Sequence, residues 1–129
     1  MKRKGTNFER ELLEELWRNG FAAVRVAGSG SMSYPSPDIV ASDGKRVLAF
    51  EVKMRRKLPL HVKKGELEEL VEFSKIFGAE PYLAVRVAYA GWRFFKAEEV
   101  HGKIDEETFA RGLELGEVLG KFRQLKVLE

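Results

Sequence analysis

The chain has no cysteine, so neither a disulfide nor a thiolate metal centre is open to it, and any metal must sit on oxygen or imidazole ligands. Imidazole is scarce too. The two histidines, His61 and His101, lack ligand spacing and read as surface or structural residues. No stretch approaches the roughly 18 consecutive apolar residues of a membrane span. The basic opening Met1-Lys2-Arg3-Lys4-Gly5 runs into polar Thr6-Asn7-Phe8-Glu9-Arg10, not into the apolar core of a secretion signal, so the expected location is cytoplasmic. There is no repeat, low-complexity tract or long linker. The 129 residues are read as one domain, 1–129, large enough to bury a core.

What is present is an ordinary globular balance, 44% hydrophobic and 33% charged. The net charge of +3 says little by itself. Its distribution says more: cations run together at Lys2-Arg3-Lys4, Arg55-Arg56-Lys57 and Lys63-Lys64, and acids gather at 66–72 and 98–107. Clustered cations are the footprint of a phosphate-backbone binder. They are equally the signature of a solvated surface, and composition leaves both readings open.

Periodicity gives the elements. Residues 6–19 read as a helix, with Thr6 as N-cap, Glu9 in the capping-box position, Phe8, Leu12, Leu13, Leu16 and Trp17 at helical spacing, and Gly20 as the stop. A strand is predicted over 21–26, a loop of turn-formers over 27–37, and a hairpin of 38–41 and 46–53 about Asp43-Gly44. A basic connection, 54–62, leads to a helix at 63–77 whose apolar face is Leu67, Leu70, Val71, Ser74 and Phe77. Strands follow at 82–87 and 92–96. Residues 97–112 show no clear period, and a last helix is predicted near 114–126. The order implies an α/β fold, a central mixed β-sheet flanked by helices, in which the helical crossover allows the third and fourth strands to run parallel.

The chemistry concentrates in Pro37-Asp38 and Glu51-Val52-Lys53. Side chains alternate along a strand, so Glu51 and Lys53 share one face while Val52 enters the core. The hairpin can bring Asp38 beside Glu51. Two carboxylates held close repel unless a cation lies between them, and all-oxygen ligands suit Mg²⁺, with Mn²⁺ able to substitute. Lys53 can then orient a water or offset charge on a reacting phosphate. Glu-x-Lys on a strand is often only a solvated charge pair, and Pro-Asp only a turn. Their combination, one opening a hairpin strand and the other closing its partner, is the PD-(D/E)XK nuclease pattern. Glu9 is either the capping-box residue or a third carboxylate. Arg10 beside it is either a phosphate ligand or a solvated helix arginine. Arg55, Arg56 and Lys57, directly after the Glu51 strand, are candidates to grip the DNA backbone. Trp17 and Trp92 read as core or interface residues.

These residues resemble those of the archaeal Holliday-junction resolvases, the Hjc family. The resemblance rests on Phe8-Glu9-Arg10-Glu11-Leu12, Gly20-Phe21-Ala22-Ala23-Val24-Arg25, Gly28-Ser29-Gly30-Ser31, Pro37-Asp38-Ile39-Val40-Ala41 and Phe50-Glu51-Val52-Lys53, and covers roughly residues 3–96. It implies a restriction-endonuclease-like fold and a homodimer that cuts four-way junction DNA symmetrically with Mg²⁺, with no small-molecule cofactor. By position it implies Glu9, Asp38 and Glu51 as acidic active-site residues and metal ligands, and Lys53 as the catalytic lysine. Arg10 and Arg25 would lie near the scissile phosphate. Ser29, or alternatively Ser31, would be a loop serine taking part in catalysis. A two-fold dimer suits a junction with two symmetric cut sites. Most of the nine phenylalanines, which include Phe73, Phe94 and Phe95, read as core packing, and some are candidates for an apolar dimer patch. The competing expectations are the same chemistry on a flap, nick or restriction site, a non-catalytic DNA-binding module, and a protein-interaction domain.

Overall fold

The computed structural model describes residues 2–26 and 34–121, with side chains from Phe8 onward. Helix α1 (Lys2–Arg18) packs through Leu12 and Leu16, one turn apart and both fully buried. It begins ahead of Thr6, which therefore is not its N-cap, and Glu9 is released from the capping-box role. Gly20, at φ 83°, turns the chain into strand β1 (Ala22–Arg25). Strands β2 (Ile39–Ser42) and β3 (Val47–Arg55) form the predicted hairpin, with β3 ending two residues later than its pattern suggests.

The basic connection is not wholly irregular, because it contains the short strand β4 (Leu60–His61). Helix α2 (Lys64–Phe77) ends on Gly78 at φ 83° and leads to β5 (Glu80–Val87) and β6 (Gly91–Lys96). The segment without a clear period resolves into a 3₁₀ turn (Ala97–Glu99), strand β7 (Lys103–Ile104) and the one-turn helix α3 (Glu106–Ala110). Helix α4 (Leu115–Leu119) occupies the start of the predicted last helix, whose remainder beyond 121 lies outside the described residues.

The main sheet has the order β1-β2-β3-β5-β6. Only β3 and β5 run parallel, joined by the α2 crossover, and the other neighbours are antiparallel. Strands β4 and β7 make a separate two-stranded sheet. Strand alternation divides the core in two. Leu48 and Phe50 of β3 join Leu12 and Leu16 of α1, Phe94 of β6 and Val118 of α4, and Val52 packs against them. Ala49 of β3 faces the other way, with Leu83 and Val85 of β5, Leu67 and Leu70 of α2, and Ile104 and Phe109. Phe94 is fully buried in the first layer, as the core-packing reading expects, and so is not part of a dimer patch. Phe77 departs from its expected place as well: it is exposed on the outer side of α2. Among the described residues no helix is long and apolar enough to cross a membrane.

Two polar clamps hold the layers in register. Arg46 donates two bonds to the Glu80 carboxylate, at 2.9 and 2.8 Å, and one of 2.7 Å to the Val118 carbonyl, tying the β2–β3 turn, β5 and α4 together. Glu11 accepts from Arg86 Nε at 3.0 Å and Trp92 Nε1 at 2.6 Å, which fixes α1 across β5 and β6. The Arg86 guanidinium also lies 4.9 Å from the centre of the Phe8 ring. Burial alone would raise the Glu11 carboxyl, but the bonds from Arg86 and Trp92 outweigh it and hold it below the usual range. Trp92 thus works at the core edge, whereas Trp17 is largely exposed and donates to the Ala23 carbonyl.

Candidate active site

The pairing Ile39↔Phe50, continued by one residue, sets Asp38 opposite Glu51. Asp38 N–H donates to the Phe50 carbonyl at 2.8 Å, and the Val52 amide donates to Asp38 Oδ2, also at 2.8 Å. The aspartate carboxylate is therefore fixed at the mouth of the hairpin, where Val26 N–H meets the Asp38 carbonyl and β1 gives way to the 27–37 segment. Ala49, Glu51 and Lys53 alternate with Leu48, Phe50 and Val52, so the acid and the ammonium rise on the α2 side of the sheet.

Glu51 is 19% exposed. Its carboxyl is pushed from the ordinary 4.5 up to about 7, first by burial and then by the negative charge of Asp38. Lys53 opposes that shift, and Glu66 and Glu9 add to it. Lys53 Nζ stands 3.8 Å from Glu51 Oε2 and makes a closer ion pair with Glu66 on the first turn of α2. Glu9 is on the α1 side, where Arg25 Nε donates to its Oε1 at 2.5 Å. Asp38, Glu51 and Lys53 are thus drawn together, with Glu9 as an outlying charge. Among the described residues, no three His, Asp or Glu side chains stand at metal-holding spacing. The expected three-carboxylate set is not assembled, because Glu9 is turned to Arg25.

Arg10 is exposed on α1. Arg55, Arg56 and Lys57 are exposed where β3 runs out toward β4, with Arg55 Nη1 donating to the Met54 carbonyl at 2.6 Å. His61 and His101 are both exposed. Ser29 and Ser31 lie outside the described residues.

A family model described as archaeal Holliday junction resolvase (Hjc) matches residues 1–127. The chain belongs to that family. Among similar Hjc proteins, the crossover junction endodeoxyribonuclease Hjc of Archaeoglobus fulgidus is 54% identical over 129 residues, covering 96% of this chain and 95% of the relative. The Hjc of Methanocaldococcus jannaschii is 38% identical, with 97% and 93% covered. The 1.6 Å structure of Archaeoglobus fulgidus Hjc, titled a Holliday junction resolvase from an archaeal hyperthermophile, superposes with a TM-score of 0.82 at 52% identity, over 89% of this chain and 99% of that one. The mixed sheet with flanking helices is accordingly the Hjc fold.

Sequence reasoning missed Glu66. The signal was present: Glu66, Leu70 and Ser74 follow one another at intervals of four, and Leu70 and Ser74 are buried. A carboxylate heading the inward stripe of a helix is an anomaly that asks for a cationic partner. The partner's identity depends on how α2 crosses β3, which periodicity does not give.

Proposed function

We propose that this chain is a structure-selective endodeoxyribonuclease that resolves four-way DNA junctions by metal-dependent hydrolysis of phosphodiester bonds, acting as a homodimer in the cytoplasm. The observation that carries the chemistry is the register that sets Asp38 against Glu51 with Lys53 two residues on. The donor set fits a divalent cation: two carboxylates without thiols, one of them part-buried and raised first by that burial and then by the charge of the other, gain most from a hard cation such as Mg²⁺, or Mn²⁺ in its place. Such an ion, when bound, neutralises a phosphate oxygen and makes an attacking water more acidic.

The protein's own groups do the rest. Asp38, anchored by the Val52 amide, and Glu51 would hold the ion, and Glu9 adds negative charge from α1. The Lys53 ammonium holds the attacking water or meets the charge that builds on the phosphate as the water oxygen bonds to phosphorus and the P–O bond to the leaving strand breaks. Arg25 ends β1 opposite Ile39, next to Asp38, and Arg10 is exposed on α1; with Arg55, Arg56 and Lys57, exposed where β3 ends, they are the groups assigned to bind the backbone. Ser29 stands between β1 and Asp38 in the sequence.

The homodimer follows from the substrate. A four-way junction offers two cut sites related by a two-fold axis, and each chain carries one Asp38–Glu51–Lys53 group. The outer side of α2 supplies a suitable surface. The Phe73 and Phe77 rings stack there at 4.9 Å, and Ile76 and Phe77 are 82% and 53% exposed. Beside them a groove of about 640 Å³ is lined by Val62, Leu67 and Val71.

The test is Asp38→Ala and Glu51→Ala on four-way, splayed-arm and linear duplex DNA. Wild type should cut the four-way junction selectively. Each variant should lose roughly 10³-fold or more of that rate while retaining junction binding in gel shifts. Equal cutting of all three substrates by the wild type would refute junction selectivity, and full activity of both variants would refute the active site.

A further inference from the structure

The described residues give Lys53 two carboxylates to choose between, and it favours the one that belongs to neither strand of the motif. Glu51 and Lys53 project from the same face of β3, two residues apart, so a lysine without another partner would fold back onto Glu51. Here the ammonium stands 3.8 Å from Glu51 and in direct contact with Glu66, which descends from α2 on the same side of the sheet. Both members are largely shielded, at 23% and 26% exposure, and the helix is fixed to the sheet by Leu67 and Leu70, so the arrangement is set by the fold and not by a free surface side chain.

We infer that Glu66 is a positioning residue for Lys53: it draws the ammonium away from Glu51, leaving that carboxylate for the cation and the ammonium facing the phosphate. The inference deepens the nuclease reading and rests on it. Without the Glu66 charge, Lys53 pairs with Glu51, competes with the ion for its oxygens and sits too low to serve the water. Glu66 therefore acts through Lys53 and touches neither the ion nor the DNA.

The test is a double-mutant cycle read by metal binding as well as by cleavage. Mn²⁺ is titrated calorimetrically into the DNA-free wild type, Glu66→Gln, Lys53→Met and the double variant. Glu66→Gln should weaken Mn²⁺ binding about fivefold, the upper end of what one ion pair is worth. In the Lys53→Met background the same change should have almost no effect. With junction DNA, Glu66→Gln should lower kcat and leave KM unchanged, and Glu66→Asp, which keeps the charge on a shorter arm, should recover part of the loss. If Glu66→Gln proves unstable on melting, Glu66→Asp serves in the cycle, with a smaller weakening that Lys53→Met again removes. Unaltered Mn²⁺ affinity in Glu66→Gln would overturn the proposal. So would an equal loss with and without Lys53, since Glu66 would then act on the ion directly. Wild-type cleavage is measured alongside: its absence would sink the nuclease reading, whereas its presence with a null cycle sinks only the role of Glu66.

Discussion

A carboxyl raised to about 7 makes Glu51 a proton-binding site that the unfolded chain lacks. Between the ordinary 4.5 and about 7 the folded protein holds this proton and the unfolded chain does not. The metal-free protein therefore loses stability as pH rises through that window and levels off above it. The loss is at most about 3 kcal/mol, taking 1.36 kcal/mol per unit. Chemical denaturation at pH 5 and pH 8 without metal should show it, and Glu51→Gln should flatten the dependence. A slope that survives in Glu51→Gln would assign it elsewhere. Because the ion binds the ionised form, Mn²⁺ uptake near pH 6 should release close to one proton, read by calorimetry in two buffers of different ionisation heat. At this scale the sequence was informative where strand alternation governs: Asp38, Glu51 and Lys53 follow from register and parity alone. It was blind to the Lys53–Glu66 and Glu9–Arg25 pairings, because each joins elements brought together only by tertiary packing.

Elements that carry their own period were legible, and those that borrow order from neighbours were not. The hairpin, α2 and the parallel β3–β5 pair match their patterns to within two residues or so at each end. Strands β4 and β7 exist only through each other, and α3 is a single turn capped by Asp105, whose Oδ1 accepts from the Thr108 amide at 2.9 Å. No window of local sequence contains both halves of such pairings. The chain between α3 and α4 is likewise held by non-local contact: Phe94 and Leu113 exchange two backbone bonds of 2.8 Å against β6. Gly112 lies directly before Leu113. A Cβ there would come within 2.6 Å of Phe95 Cζ and 2.9 Å of Arg93 Cβ, and the latter cannot swing aside without moving the strand. Gly112→Ala should therefore cost about 1–3 kcal/mol by overpacking, seen as a melting temperature several degrees lower, with the far-ultraviolet dichroism of the native state unchanged. An unaltered melting temperature would mean that this connection is loosely packed.

For the whole molecule, two observations bear on the homodimer. The Asp38–Glu51–Lys53 group is confined to one end of the sheet, so a single chain presents one cutting centre. Among the described residues the largest exposed aliphatic side chain, Ile76, lies on α2, the same helix that supplies Glu66 to that centre. A two-fold contact through the outer face of α2 would thus couple the two centres through one rigid element on each side. Ile76→Glu puts a charge into that contact at a position 82% exposed in the single chain, so the fold itself should tolerate it. Sedimentation should then show a dimer for the wild type and a monomer for the variant. On a plasmid bearing an extruded cruciform, the wild type should cut both strands within one binding event and yield linear DNA. The variant, cutting one strand per encounter, should yield nicked circles first. A variant that stays dimeric and still linearises the plasmid would move the interface to another face of the domain. One that becomes monomeric yet still linearises it would show that paired cutting does not need the two-fold assembly.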